Sequence, residues 1–250
     1  MNIMVFDTET TSLTKPFCYN IGYVIYDTEA DTIKVAKDFV VEQVWHNEAL
    51  FCSAYYANKR PLYVGRMKAK KTIMKKFGYI TQEMCRDIEN YNVSSAYAYN
   101  SPFDDKVFQF NCDWFKCINP FDNIPIFDIR GYVHNKIAFT VNFKAFCDNY
   151  EYYTEAGNYS TTAETLFRYI TGNTDFEEEH TALSDSKIEC KILKYCIDNG
   201  ANYETEYKVY NSIPREHTTE VIIRNESKEN IAVYQAKKKT ITKTSTIYTV

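Results

Sequence analysis

The sequence Ile3-Met4-Val5-Phe6-Asp7-Thr8-Glu9-Thr10-Thr11 joins an apolar run to two carboxylates. The run predicts a short buried strand over 3–7. Because side chains two residues apart in an extended chain point to the same side, Asp7 and Glu9 project together from the strand's end. Two adjacent carboxylates repel each other unless a proton or a cation lies between them, and Mg²⁺ or Mn²⁺ takes oxygen ligands of this kind. The alternative is a polar strand end that enters a turn.

The segments that follow predict a strand meander. An apolar run at 21–26 predicts a second strand, and the alternation of apolar and polar residues over 33–41 predicts a third with one face in water. Short polar turns between consecutive strands favour antiparallel pairing. Further strands are predicted at 96–99 and 124–129, and helices at 143–150, 162–171 and 181–199, where Gly200 is a typical terminator.

A second candidate site follows the strand at 96–99. Asn100-Ser101-Pro102-Phe103-Asp104 combines an N-cap serine with proline at the first helical position. Ser-x-x-Asp at a helix start is typical of a capping box, so Asp104 has a structural explanation. The same carboxylate also lies at the C-terminal end of a strand, where open α/β sheets bind their ligands.

A third candidate opens the last predicted helix, in His180-Thr181-Ala182-Leu183-Ser184-Asp185. Asp185 precedes Ile192 by seven residues and Cys196 by eleven, about two and three turns, so it shares their apolar face. A carboxylate on an apolar face needs a partner, and a metal ion is a suitable one. For His180, a solvated position beside the acidic run at 177–179 is the alternative.

Taken together, these motifs resemble those of the DEDDh 3′→5′ exonucleases, the family of the proofreading subunit of bacterial DNA polymerase III, RNase T and oligoribonuclease. Asp-x-Glu on the first strand, Asn-x-x-Phe-Asp after a later strand and His-x(4)-Asp on a late helix occur in family order over about 1–198. The resemblance implies an α/β, ribonuclease H-like exonuclease fold: a mixed central sheet whose first three strands are antiparallel, flanked by helices.

The resemblance also implies the site residues and the chemistry. Two divalent cations, Mg²⁺ or Mn²⁺, would be held by four carboxylates: Asp7, Glu9, Asp104 and Asp185. His180, whose ordinary pKa is about 6.5, would take a proton from the attacking water. The 3′-terminal nucleotide would contact Thr8, Thr10, Thr11, Leu13 and Asn100. The chain departs from the family at Ser12, where glycine is common, and it lacks the usual His-Gly substrate motif.

Charge indicates how the partner is held. With 29 Lys and Arg against 33 Asp and Glu, the net charge of −4 excludes binding of nucleic acid through bulk charge. Basic residues are nevertheless concentrated over 59–76, where they could follow a phosphate backbone or form a solvated helix face. The implied partner is a nucleic acid with a 3′ end, with single-stranded DNA favoured over RNA, and a DNA polymerase or replication protein is a candidate second partner.

Organisation and location follow from composition. We predict an exonuclease domain over 1–200 and a small β-rich extension over 201–250 whose role is unknown. No export signal or membrane span is visible, because the first apolar run ends at Asp7. Eight cysteines without a Cys-x-x-Cys pair are typical of free thiols in a reducing compartment. A cytoplasmic protein without membrane contact is therefore expected.

Other functional classes fit less well. A haloacid dehalogenase-type phosphatase would need aspartate in place of Glu9 and would leave His180 and Asp185 unexplained. A Ser-His-Asp hydrolase would need a Gly-x-Ser-x-Gly elbow, which is missing. An exonuclease-fold module that binds nucleic acid or a polymerase without cleaving would be expected to have lost an acidic ligand. We therefore predict an enzyme, a 3′→5′ exonuclease that acts on DNA, with RNA trimming as the second candidate.

Overall fold

The computed structural model describes residues 1–215, 217–224, 230–238 and 248–249, with side chains up to residue 215. The strands are β1 Asn2–Thr10, β2 Cys18–Asp27, β3 Thr32–Val41, β4 Ile73–Lys75, β5 Val93–Ala98, β6 Ile126–Asp128, β7 His217–Arg224, β8 Asn230–Lys238 and β9 Tyr248–Thr249. The helices are α1 Glu42–Trp45, α2 Glu48–Phe51, α3 Arg60–Lys68, α4 Phe77–Asn90, α5 Ser101–Phe115, α6 Ile129–Lys136, α7 Val141–Tyr150, α8 Ala163–Thr171 and α9 Ala182–Asp198.

Six strands form the central sheet in the order β4-β3-β2-β1-β5-β6. The pairs β1–β2 and β2–β3 are antiparallel, whereas β1–β5 and β5–β6 are parallel. This arrangement confirms the predicted mixed sheet with three antiparallel first strands. Because β1, β5 and β6 run in the same direction, the residues that follow these strands meet at one edge of the sheet.

Strand β1 is buried on both faces of the sheet. Met4 and Phe6 pack into one apolar cluster with α4 and α5, and Ile3 and Val5 pack into a second with α6 to α9. Alternate side chains of a strand point to opposite faces, so an unbroken apolar run is what a strand between two helical layers requires. The charged residues of β1 are therefore confined to its C-terminal end.

Helix α9 lies directly against β2. A Cβ atom built on Gly22 would be 2.0 Å from the backbone nitrogen of Leu183, so only glycine allows this approach. Ser186 Oγ donates to the Gly22 carbonyl at 3.0 Å, and the Ala182 N–H donates to Asn20 Oδ1 at 2.9 Å. These contacts fix the first turn of α9 against the sheet.

The start of α5 differs from the sequence prediction. The N-cap residue is Asn100, which has a φ of 68°, and Ser101 is already helical. Asp104 does not close a capping box, because its Oδ1 accepts a hydrogen bond from Thr8 Oγ1 at 2.6 Å. The capping interpretation of Asp104 is therefore wrong, and this carboxylate belongs to a contact between α5 and β1.

The segment 201–215 folds back over the second apolar cluster, where Tyr203, Tyr207 and Ile213 pack. The Tyr210 N–H donates to His134 Nδ1 at 2.9 Å, and the Tyr159 N–H donates to the Ile213 carbonyl at 2.9 Å. Strands β7 and β8 pair antiparallel in a separate sheet with β9. The division into 1–200 and 201–250 stays a prediction. Within the described residues, no helix is long and apolar enough to cross a membrane.

Gly22→Ala tests the contact between β2 and α9. The added methyl group would meet helix backbone, so we expect a loss of about 3 kcal/mol or more in the free energy of unfolding, since overpacking of a dense core is costly. Gly65→Ala, in helix α3 with nothing within 4 Å of the new Cβ, is the matched control and should gain about 0.5–1 kcal/mol. Urea unfolding measures the free energy of unfolding of both variants. Equal stability of the two would contradict the close contact between Gly22 and α9.

Candidate active site

All five residues predicted to be catalytic line one cavity of about 230 Å³, which we call the acidic cavity. They reach it from β1, from α5, from the loop before α9 and from α9 itself. Its carboxylates are Asp7, Glu9, Asp104, Glu178, Asp185 and Glu189, and its other lining residues are Thr8, Tyr99, Phe103, Ala163 and His180.

Asp7, Glu9 and Asp185 form one close group. One carboxylate oxygen from each lies within 4.8 Å of the others. Asp7 is paired with Gly22 across β1 and β2, so the close approach of α9 at Gly22 brings Asp185 to the same place. Asp185 Oδ1 is buried and has no hydrogen-bond partner. A buried carboxylate oxygen without a protein partner is free to accept a bond from a ligand or a water molecule.

Burial makes the ionised form of these carboxylates unfavourable. It raises the pKa of Asp7 to about 7 and, with Asp7 and Glu178 nearby, that of Asp185 to about 10. Burial and the charge of Asp7 also raise the pKa of Glu9 and of Asp104 well above their ordinary ranges. Desolvation and mutual repulsion have this effect on acids. The donor set, all oxygen and strongly anionic, fits hard divalent cations.

His180 is held between an aromatic ring and a carboxylate. Its imidazole stacks on Tyr56 with a centroid distance of 4.6 Å, and Nδ1 lies 3.6 Å from Glu178 Oε2. Burial, followed by the positive charge of Lys59, lowers its pKa. Desolvation and the repulsion by Lys59 outweigh the opposing charge of Glu164, and the neutral imidazole, the form that accepts a proton, is favoured near neutral pH.

The predicted substrate residues separate into two places. Thr8, Thr10, Thr11 and Leu13 line a cavity of about 320 Å³, the Leu13 cavity, together with Tyr55, Tyr56 and Phe103. It shares Thr8, Glu9 and Phe103 with the acidic cavity. Asn100 does not line either cavity; its Oδ1 accepts a hydrogen bond from Arg130 at 3.0 Å, and it lines a third cavity beyond Tyr99.

Four residues of the site were not predicted from sequence: Tyr56, Lys59, Glu178 and Glu189. Glu189 lies one helical turn after Asp185, and its carboxylate accepts the Tyr99 N–H at 3.2 Å. That i,i+4 spacing was a usable signal, because it places both acids on one helix face. No local pattern marks Tyr56, whose role depends on contact with a residue distant in the chain.

The basic stretch 59–76 is divided between two tasks. Arg66 forms ion pairs with Asp38 and Glu179, and Lys75 pairs with Glu83. These cations hold the loop before α9 and the surface of β3 and α4. Lys68, Lys70, Lys71 and Lys76 are exposed. The stretch is therefore partly structural, and its remaining lysines keep the capacity to meet phosphates.

Comparisons with known proteins bear on the fold. No protein-family model matches the sequence, and no curated protein does. The chain is similar in structure to the nuclease domain of 3'hExo, described as a DEDDh family member bound to rAMP, with a TM-score of 0.54, 12% identity and coverage of 85% of this chain and 97% of that one.

Two further structures are similar. A 3'-exonuclease described with the histone mRNA stem-loop has a TM-score of 0.53 at 12% identity, over 86% of this chain and 74% of that one. Exonuclease I without ligand has a TM-score of 0.50 at 12% identity, over 80% of this chain and 42% of that one. At this identity the likeness concerns the fold alone, and the chain has the ribonuclease H-like fold of the DEDDh exonucleases.

Proposed function

We propose that this chain is a divalent-metal-dependent 3′→5′ exonuclease that hydrolyses nucleic acid to nucleoside 5′-monophosphates. One observation carries the proposal: the carboxylates of the acidic cavity converge beside His180 while Asp185 Oδ1 has no partner. A cluster of acids with raised pKa values in a cleft is costly to the fold, and such clusters occur at functional sites.

Asp7, Glu9, Asp104 and Asp185 are the residues that would hold two Mg²⁺ or Mn²⁺ ions. When bound, such ions supply Lewis-acid stabilisation of a phosphoryl group and of the leaving oxygen. Thr8 orients Asp104 by a hydrogen bond of 2.6 Å, and Tyr19 donates to Glu9 at 3.3 Å. These neighbours fix the carboxylates, as outer groups do in metal sites generally.

His180 is proposed as the general base. The attacking water gives a proton to the neutral imidazole while its oxygen bonds to phosphorus. The bond between phosphorus and the 3′ oxygen breaks, and that oxygen takes up a proton to become the 3′-hydroxyl of the shortened strand. Stacking on Tyr56 fixes the plane of the ring, so Tyr56 acts as a positioning residue. General-base catalysis of this kind contributes about 10²–10⁴-fold to the rate.

The Leu13 cavity supports action at a chain end. Leu13 is 74% exposed and Tyr55 is 88% exposed at its rim, and Phe103 joins it to the acidic cavity. Exposed aromatic side chains such as Tyr55 stack on unpaired bases, and an aliphatic side chain such as Leu13 packs against their faces. We infer that the 3′-terminal nucleoside binds here, with Thr10 and Thr11 beside it, and that its phosphate reaches the acidic cavity.

The sugar of the substrate is proposed as deoxyribose, with single-stranded DNA first. RNA is the second candidate. It is supported by the descriptions of two similar structures, one bound to rAMP and one concerned with recognition of a histone mRNA stem-loop. A DNA polymerase or replication partner and a cytoplasmic location remain proposals.

Digestion of end-labelled substrates tests the activity. Single-stranded DNA, duplex DNA and RNA of one sequence, each labelled at the 5′ end, should shorten stepwise from the 3′ end in Mg²⁺ or Mn²⁺ and stay intact in EDTA. We expect single-stranded DNA to be shortened fastest. Faster shortening of RNA would assign the second candidate, and cleavage that survives EDTA would contradict the metal site.

Asp185→Asn tests the site assignment. The amide keeps the shape of the side chain but removes a charge from the cluster, so cleavage should fall by at least about 10³-fold, as expected for loss of a transition-state interaction. The melting temperature should not fall, because a carboxylate disfavoured by burial is removed. Asp198→Asn, on the exposed end of α9, is the control. Substantial activity in Asp185→Asn would disprove the assignment.

The stack on His180 is tested at Tyr56. Tyr56→Ala should lower kcat by about 10- to 100-fold with a smaller effect on KM, because the misplaced imidazole affects the chemical step. Tyr56→Phe keeps the ring and should restore kcat. Tyr79→Ala removes an exposed tyrosine of α4, away from His180, and serves as the control. An equal loss in Tyr56→Phe would show that the ring stack is not what matters.

Thermal unfolding tests the link between metal and protons. The pKa of Asp7 is raised from 3.8 to about 7 and that of Glu178 from 4.5 to about 7, so the folded protein holds these protons more tightly than the unfolded chain. Stability of the metal-free protein should therefore fall as the pH rises from 4 to 7. Mg²⁺ should raise the Tm more at pH 8 than at pH 5. A Tm increment independent of pH, or one unchanged in Asp185→Asn, would contradict this.

A further inference from the structure

The third cavity, of about 530 Å³, lies next to the acidic cavity and differs from it in charge. We call it the Arg130 cavity. It shares Tyr99 and Ala163 with the acidic cavity and no residue with the Leu13 cavity. The acidic cavity thus has a neighbour on each side, because it shares lining residues with both of the other cavities.

The chemistry of the Arg130 cavity suits an anion. No aspartate or glutamate is among the described residues that line it, although six carboxylates line the adjoining cavity. Arg130 brings a guanidinium group, and Asn158 and Thr161 add neutral polar side chains. Arginine binds phosphate groups through a planar fork of donors. The protein as a whole has a net charge of −4, so a cavity lined by an arginine and no acid differs from its surroundings and favours the binding of a phosphate group.

The cavity is built from separate parts of the fold. Arg130 and His134 come from α6, which follows β6 at the same sheet edge as the acidic cavity. The segment 210–213 covers it, and the Tyr210 N–H donates to His134 Nδ1. That bond makes Nε2 of His134 the protonated nitrogen, and Nε2 is buried without a partner. The wall of the cavity therefore contains a buried donor that has no partner among the described residues.

We propose that the Arg130 cavity binds a backbone phosphate of the substrate strand upstream of the scissile bond. This inference rests on the proposed function, which places the terminal nucleoside in the Leu13 cavity and the scissile phosphate in the acidic cavity. The next part of the strand is then placed in the Arg130 cavity, which adjoins the acidic cavity at Tyr99 and Ala163. The segment 201–215, beyond the predicted exonuclease domain, thereby contributes to substrate binding by closing this cavity.

Binding measurements on the full chain test the proposal. Arg130→Gln is compared with its parent in an Asp185→Asn background, with 5′-labelled single-stranded oligonucleotides from the dinucleotide upward, by fluorescence anisotropy in Mg²⁺. The parent should gain affinity once the strand is long enough to reach the cavity. Arg130→Gln should lose that gain, with a Kd about tenfold higher for longer strands and a log Kd against log salt slope lower by about 0.7.

Two variants control for charge and folding. Arg86→Gln removes the same charge from an exposed position on α4 and should bind like the parent. Arg130→Lys keeps the charge and should recover the salt slope. The melting temperatures of all variants are also measured. If binding is lost, Arg130→Lys does not restore it and the Tm is lowered, the loss is assigned to misfolding and counts against the proposal.

The outcomes separate this inference from the proposed function. Equal Kd values and salt slopes for Arg130→Gln and its parent would overturn the inference alone, because binding is measured without cleavage. A wild-type chain that cleaves no substrate would overturn the proposed function. If Arg130→Gln lost affinity for a nucleoside 5′-monophosphate but kept that for strands, the occupant would be the free product, and the inference would be wrong.

Discussion

The contact between helix α9 and strand β2 at Gly22 is the interaction on which the site depends. Gly22 is paired with Asp7 across the sheet, and Asn20 with Glu9. The same two residues of β2 receive the first turn of α9, through the missing Cβ of Gly22 and the side-chain oxygen of Asn20. The packing of α9 against β2 therefore also brings the carboxylates together, and a change in one alters the other.

Bringing these buried carboxylates together is electrostatically unfavourable, and packing elsewhere in the fold offsets this cost. Burial raises the pKa of every predicted metal ligand, and the charge of Asp7 adds to this effect at Glu9, Asp104 and Asp185. The two apolar clusters on either side of β1 hold the strand in place against this repulsion. Protons relieve this repulsion, and the proposed metal ions would do the same, so that they would stabilise the fold as well as take part in the chemistry. Functional sites typically hold such energetically unfavourable groups in place by means of a stable surrounding structure.

Local patterns in the sequence were sufficient for part of this structure. Alternation over β3 and the apolar run of β1 predicted their strands, and three short motifs predicted four of the six acids that line the acidic cavity. The start of α5 was misplaced by one residue, because Asn100 adopts a left-handed conformation that no periodicity reveals. Tyr56 could not be found, since its ring meets His180 only through tertiary packing. The cavity beside Arg130 likewise depends on a segment that returns from beyond α9.

The hydrogen bond between Asn20 and the Ala182 N–H spans 162 positions of the chain. Contacts of such long range form slowly, because the entropy of closing the loop must be overcome first. Strand β1 leaves the ribosome early, but its two carboxylates meet Asp185 only when almost the whole domain has been synthesised. A nascent or prematurely terminated chain that lacks α9 thus has no complete acidic cavity, and any nuclease activity is withheld until synthesis has passed that helix.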